Sequence, residues 1–363
     1  MIWLTWRQFR GSAAVTVAAL VALAAVLAWT GPRLAADHAT GITACTASGT
    51  ASGTASEACG RFFDRLFEDY QAPFLAVTLV LLLLPGLIGL FWGAPMITRE
   101  LETGTHLLVW NQTITRTRWL AVKLVMIGLA ATSAGGLAAL AATWWSGPLD
   151  RSAPAGWTLM DPVVFGARGV VPMAYAAFAF VLGVTVGLLV RRTLPAMAVT
   201  LVLFAAVQVT VPLLVRPHLM PPVSGTFELG PANVTSFGVP AGGSPTVSLE
   251  PAVPGHPGSW VLSTRLVDGA GRPVPTNTAG AAVPVSPASG PCAPSARRSP
   301  VAGEGSDLDG CLAEINRLGY RQQATYQPFE RFWALQWIET GIYALLTLGL
   351  AGACLRWVRG RPS

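Results

Sequence analysis

Residues 169–215 read GVVPMAYAAFAFVLGVTVGLLVRRTLPAMAVTLVLFAAVQVTVPLLV: two apolar runs of 22 residues, Gly169–Val190 and Leu194–Val215, on either side of Arg191, Arg192 and Thr193. A helix needs about 20 apolar residues to cross the hydrocarbon core of a bilayer. Neither run carries a charged side chain. A helix on the surface of a soluble domain would show a polar face every turn, and these show none. The stretch therefore reads as a hairpin of two spanning helices with a doubly charged turn.

Working outward, four more runs qualify: Ser12–Trp29, Phe74–Ile97, Leu124–Trp145 and Phe332–Leu355. Only the last holds a formal charge, Glu339. Composition agrees. Of 363 residues, 52% are hydrophobic and 12% charged, about half the charge of an ordinary soluble domain. That excludes a soluble two-domain enzyme. The polar material is concentrated in residues 217–331, which contain 17 of the 28 prolines.

Cations set the orientation, because arginine and lysine are retained on the cytoplasmic side. With both termini inside, the inner segments hold Arg7, Arg10, Arg99, Arg116, Arg118, Lys123, Arg191, Arg192, Arg356, Arg359 and Arg361 against Glu100 and Glu102 alone. The outer side then receives the other thirteen cations and sixteen acids, Glu339 of the last span counted with them. The cations flank apolar runs rather than forming a basic stripe, so the net charge of +6 reflects topology and not nucleic-acid binding.

Before the first span, Ile2, Trp6 and Phe9 fall at helical spacing, which predicts a short amphipathic helix in the inner interface. Thr40–Ser56 is low in complexity and reads as loop; Asp307–Gln323 reads as a helix. Ser259–Val267 reads as a strand followed by a turn at Asp268–Pro273. Four of the five cysteines fall in outer segments, where disulfides form in an oxidising compartment. Of the three possible connectivities, pairing within each loop, Cys45 with Cys59 and Cys292 with Cys311, is preferred. Cys354 reads as packing.

The expected fold is an all-α polytopic membrane protein with six transmembrane helices. An interfacial helix spans 1–11. Spans one to five lie within 12–216, with an outer loop at 30–73 and a cytoplasmic loop at 98–123. A partly β, partly irregular extracellular domain follows at 217–331. The sixth span and a cytoplasmic tail occupy 332–363.

The loop between the second and third spans is the only cytoplasmic one long enough for a docking surface. Arg99, Glu100 and Glu102 open it with a charged turn, Gly104 and Thr105 follow, Thr115 stands where a helix N-cap is favoured, and Arg116 and Lys123 close it. The block Arg99-Glu100-x-Glu102-x-Gly104-Thr105, the Leu107-Leu108 pair, Arg116 and Lys123 resemble the signature loop of permeases of the type-2 ATP-binding-cassette exporter family. The sequence departs from that pattern at Asn111–Ile114, where a proline often precedes the arginine turn. The resemblance implies that Arg99, Glu100, Glu102, Gly104 and Thr105, supported by Arg116 and Lys123, dock into a cytoplasmic ATPase subunit. It also implies ATP and Mg bound by that partner, a second permease subunit, and residence in a bacterial plasma membrane.

No Gly-x4-Gly-Lys-[Ser/Thr] phosphate loop occurs, so ATP hydrolysis by that machinery is not expected of the chain itself. No His-Glu-x-x-His or Cys-x-x-Cys occurs and the four histidines are scattered; no metal or cofactor is expected. Ionisable and polar groups inside spans are functional candidates, which singles out Gln208, Gln336 and Glu339 for a substrate path, although at its depth the Glu339 carboxylate could instead reach outer water. The expectation is an exporter permease. The alternatives are an ion-coupled secondary transporter, which needs buried carboxylates near the midplane, and a non-transporting sensor or immunity protein.

Overall fold

The computed structural model describes residues 2–48, 54–102, 115–152, 157–238, 244–278, 280–286, 289–293 and 304–360. Six helices are long and apolar enough to cross a membrane, covering Phe9–Cys45, Phe62–Glu100, Arg116–Asp150, Val171–Val190, Thr193–His218 and Phe329–Gly360. All six apolar runs read from the sequence fall on these. Their outward faces carry large apolar side chains, among them Val21, Leu83, Leu129, Leu140, Val202 and Leu345. Such faces are stable only against lipid or a partner.

The first helix, α1 (Ile2–Ser48), is 47 residues long, about 70 Å at the helical rise. It corrects two expectations. There is no separate interfacial helix at 1–11: the chain runs through Gly11 and Ser12 without a break. The region from Thr40 to Ser48 is helix, not loop. Its hydroxyls return to the helix backbone, Thr40 Oγ1 donating to Ala36 O at 2.8 Å and Thr43 Oγ1 to Thr40 O at 2.8 Å. Thr and Ala therefore serve where a polar low-complexity reading suggests coil. The second helix, α2 (Thr54–Ile88), already begins within the expected loop. It returns along α1, with Tyr70 Oη donating to Asp37 Oδ2 at 2.9 Å.

A π-helical turn, Gly89–Gly93, joins α2 to α3 (Ala94–Glu102). The third span is α4 (Arg116–Ser152), and a short α5 (Pro162–Phe165) lies in the connection after it. The fourth is α6 (Val171–Val190) and the fifth α7 (Thr193–Thr210), continued by a π turn at Val211–Val215. The fourth span is the axis of the bundle, packed against spans two, three, five and six. Its contact with span two uses two small-residue pairs, Gly89/Gly93 and Gly183/Gly187. A Cβ on Gly89 would lie 2.6 Å from Ala179 O, and one on Gly183 would collide with Gly89 O. Small residues at four-residue spacing let helix backbones touch, and the π turn sits at that contact.

Between spans five and six lie two antiparallel sheets. Strands β1 (Val223–Phe227), β2 (Val234–Gly238), β3 (Thr246–Leu249), β4 (Trp260–Val267), β5 (Thr276–Asn277) and β6 (Gly280–Ala282) precede α8 (Glu304–Arg317) and β7 (Arg321–Gln327). The sheet orders are β1-β7-β4 and β2-β3-β6-β5. The expected strand at 259–267 is β4, and the chain turns at Asp268 as read, with Arg272 N donating to Asp268 Oδ1 at 2.9 Å. The helix expected to reach Gln323 ends at Arg317. Gly319, at φ +90°, takes a left-handed conformation open to glycine. The chain then alternates, with Gln322, Ala324 and Tyr326 buried. The sixth span, α9 (Phe332–Gly360), follows.

Candidate functional site

The bundle has two ends. One carries both termini, α3, the start of α4 and the Arg191–Arg192 turn. The other carries the β domain.

At the terminal end, Lys123 of α4 is buried and forms an ion pair with Glu100 of α3, its Nζ 4.6 Å from the centre of the Trp119 ring. The two residues bracket residues 103–114, so the pair closes the base of the loop. Glu102 reaches the next hairpin. Its Oε1 accepts from the Thr193 amide and its Oε2 from the Thr193 hydroxyl, both at 2.7 Å. Thr193 opens α7, whose own N-cap, Arg192, offers no side-chain acceptor. Glu102 thus caps a neighbouring helix, where orphan amides attract a negative charge. These hydrogen bonds, the amide first, hold the Glu102 carboxyl below its ordinary pKa. Thr98 Oγ1 also lies 2.9 Å from Thr193 Oγ1. The turn before α7 is made by Arg191 at φ +57°, a conformation costing about 1 kcal/mol outside glycine.

Of the residues expected at the docking loop, Arg99, Glu100, Glu102, Arg116 and Lys123 are therefore located; Gly104 and Thr105 lie outside the described residues. Thr115 caps α4 as read, its Oγ1 3.4 Å from the Arg118 amide. A cavity of about 240 Å³ opens beside the ion pair, lined by Phe9, Trp92, Arg99, Glu100 and Lys123 among others.

At the β end, the sequence missed the central residue. Arg216, in the last turn of the fifth span, is fully buried. Its Nε donates to Glu339 Oε2 at 2.8 Å and its Nη2 to Glu339 Oε1 at 3.0 Å. Tyr175 Oη donates to the same Oε1, Arg216 Nη1 donates to Pro162 O at 3.2 Å, and the guanidinium lies 4.2 Å from the Phe165 ring centre. Spans four, five and six and the α5 segment meet in one network. Glu339 does not reach outer water; it is fully buried against its cation. The signal was available: an arginine at the edge of one span and a glutamate at similar depth in the next.

Gln336, one turn away, is saturated. Its Oε1 accepts from the Val170 and Val171 amides, each at 3.1 Å. Its Nε2 donates to Phe165 O and Arg168 O, each at 3.2 Å. It clamps the start of α6. A second buried pair, Arg168 Nε and Asp150 Oδ2 at 3.6 Å, ties the same segment to the end of α4. Gln208 sits two turns before Arg216; its Oε1 is buried without a hydrogen bond among the described residues. Cys292 and Cys311 form a disulfide with Cα atoms 4.6 Å apart. The side chain of Cys59 lies outside the described residues, and with it the expected pairing to Cys45. Cys354 is a buried free thiol beside Thr185.

Residues 17–216 match the family described as ABC-2 membrane transporter related. The chain belongs to this family. No curated protein and no solved structure matches it. The match supports an ABC-2 type permease and covers spans one to five with the whole 98–123 loop. It ends at Arg216, so one half of the buried Arg216–Glu339 pair lies within the matched ABC-2 region and the other beyond it.

Proposed function

We propose that the chain is the membrane-spanning subunit of an ATP-driven exporter, with a separate cytoplasmic ATPase supplying the energy. The chain itself is not the ATPase; ATP and Mg belong to that partner. Two permease subunits, identical or related, would surround one route through a bacterial plasma membrane, with all termini and the 98–123 loop in the cytoplasm.

The observation that carries this reading is the double tie at the loop base. A push on residues 103–114 cannot stay local. Through Glu100–Lys123 it moves span three, and through Glu102–Thr193 it moves span five. Mixed charge at the approach, with Arg99 beside two glutamates, fixes docking register. The ion-coupled alternative needs a buried carboxylate free to exchange protons or ions. Glu339 is instead held by Arg216, which favours the ATP-driven reading.

Two measurements test it. A single cysteine placed at His106 should react with an impermeant maleimide in inside-out vesicles and not in intact cells. Pull-down from the native membrane should recover an ATP-hydrolysing subunit, with recovery falling about tenfold, a loss of roughly 1.4 kcal/mol, in the Arg99→Glu variant. Labelling from the cell exterior, or ATPase recovery indifferent to Arg99→Glu, would sink the proposal.

A further inference from the structure

The β domain meets the segment after span three around a second cavity, of about 480 Å³. That is within the range of small-molecule sites, about 300–1,000 Å³. Its lining includes Thr158, Asp161, Val253, His256, Ser259 and Val261, with three prolines of the 251–258 loop. None of these residues belongs to the loop base or to the Arg216 network.

Asp161 is the one acid in the lining. Its Oδ2 accepts from the Thr158 amide at 2.6 Å and the Thr158 hydroxyl at 2.8 Å. Burial outweighs those hydrogen bonds and raises the Asp161 pKa above its ordinary value. Among the described residues no cation lies within ion-pair distance of it. The nearby arginines are committed elsewhere, Arg216 to Glu339 and Arg168 to Asp150. A partly desolvated carboxylate without a counter-cation is costly unless something supplies one. Val253, Val261 and the proline rings provide apolar wall.

We propose that this cavity is a binding site for a primary ammonium group carried on an apolar body. An ammonium has three donors and no acceptor. The cavity offers it the Asp161 carboxylate and, bonded to that carboxylate, the Thr158 hydroxyl, whose proton is spent on Asp161. A divalent metal is a poor fit, since it would find one carboxylate here, and no metal-holding cluster of His, Cys, Asp or Glu exists among the described residues. The site is independent of how the permease is powered.

The test uses the full chain in nanodiscs, with phenethylamine as probe and phenethyl alcohol as its neutral counterpart, followed by saturation-transfer NMR with empty discs subtracted. The amine should bind about tenfold more tightly than the alcohol, the scale of one charge-assisted contact. Asp161→Asn should erase that preference by weakening the amine about tenfold. Equal binding of amine and alcohol to the unmodified protein would overturn the site without reference to any variant. A preference that survives in a folded Asp161→Asn protein would overturn the role of Asp161.

Discussion

Arg216 and Glu339 illustrate what a buried charge asks of its surroundings. Both are fully buried, so removing one leaves the other stranded in a medium that cannot solvate it, at about 3–5 kcal/mol. Arg216→Met should lower the apparent melting temperature of the detergent-solubilised protein sharply, and the Arg216→Met/Glu339→Met pair should recover much of the loss. A double variant no more stable than the single would mean that the pair is not closed as described. Glu102 gives a second, pH-dependent case. Its carboxyl is held below the ordinary value by Thr193, so the fold favours the carboxylate. The tether is then complete above the ordinary glutamate pKa of about 4.3 and is lost as pH falls through the lower folded value. Hydrogen exchange at the Thr193 amide, corrected for intrinsic rate, should show protection that disappears on acidification, and Glu102→Gln should show no such step. Protection unchanged by acid would refute the cap. These residues differ in how legible they were. Glu100, Glu102 and Lys123 could be read because charges are rare in this chain and cluster around one loop. Arg216 was passed over because it lies at the end of a span, where an arginine ordinarily faces headgroups; only the fold shows it turned inward.

At the scale of elements, the contact between spans two and four depends on the absence of side chains. A Cβ on Gly93 would collide with Phe180 O, and one on Gly183 with Gly89 O. Both neighbours are backbone, which cannot swing aside. Gly183→Ala should therefore destabilise the bundle by about 1–3 kcal/mol, the scale of overpacking in a close-packed interior. Gly349→Ala in α9, where a Cβ would meet nothing within 4 Å, should be neutral or stabilising by up to about 1 kcal/mol through helix propensity. Thermal unfolding of the two variants side by side checks this, and equal effects would show that the crossing tolerates a wider separation. The six spans were readable because an apolar run of about 20 residues has few alternative fates. The continuation of α1 to Ser48 was not, since Ala, Thr and Ser segments have no strong preference and tertiary contact decides them. In this chain that contact comes from α2, through Tyr70 and Asp37. The start of strand β7, residues 321–323, falls within the expected helix for a related reason. Its alternation of Gln322, Ala324 and Tyr326 inward mixes polar with apolar groups, so the period of two is visible only once Asn233 and Thr264 are in place to bond Gln322.

For the whole molecule, the important feature is that the polar ties of both ends converge on the two helices around the Arg191–Arg192 turn. At the terminal end Glu102 holds Thr193, three residues beyond the end of α6. At the β end Gln336 holds Val170 and Val171 at its start, and Tyr175 joins the Arg216–Glu339 pair. The fourth span between them is buried along most of its length and contains no proline after Pro172, so it behaves as a stiff rod rather than a hinge. Interiors packed at crystal density transmit displacement instead of absorbing it. A shift of the 98–123 loop should therefore appear at the far end, about 30 Å away along a 20-residue helix. Backbone exchange at Val170–Val171 is the readout. In the permease bound to its ATPase, adding ATP should change exchange at these two amides. In the Glu102→Ala variant, which releases Thr193, the nucleotide should leave them unaltered in whatever complex with the ATPase still forms. If ATP moved nothing at Val170–Val171 in the unmodified complex, span four would be a passive core and the force would have to travel by spans three and five alone.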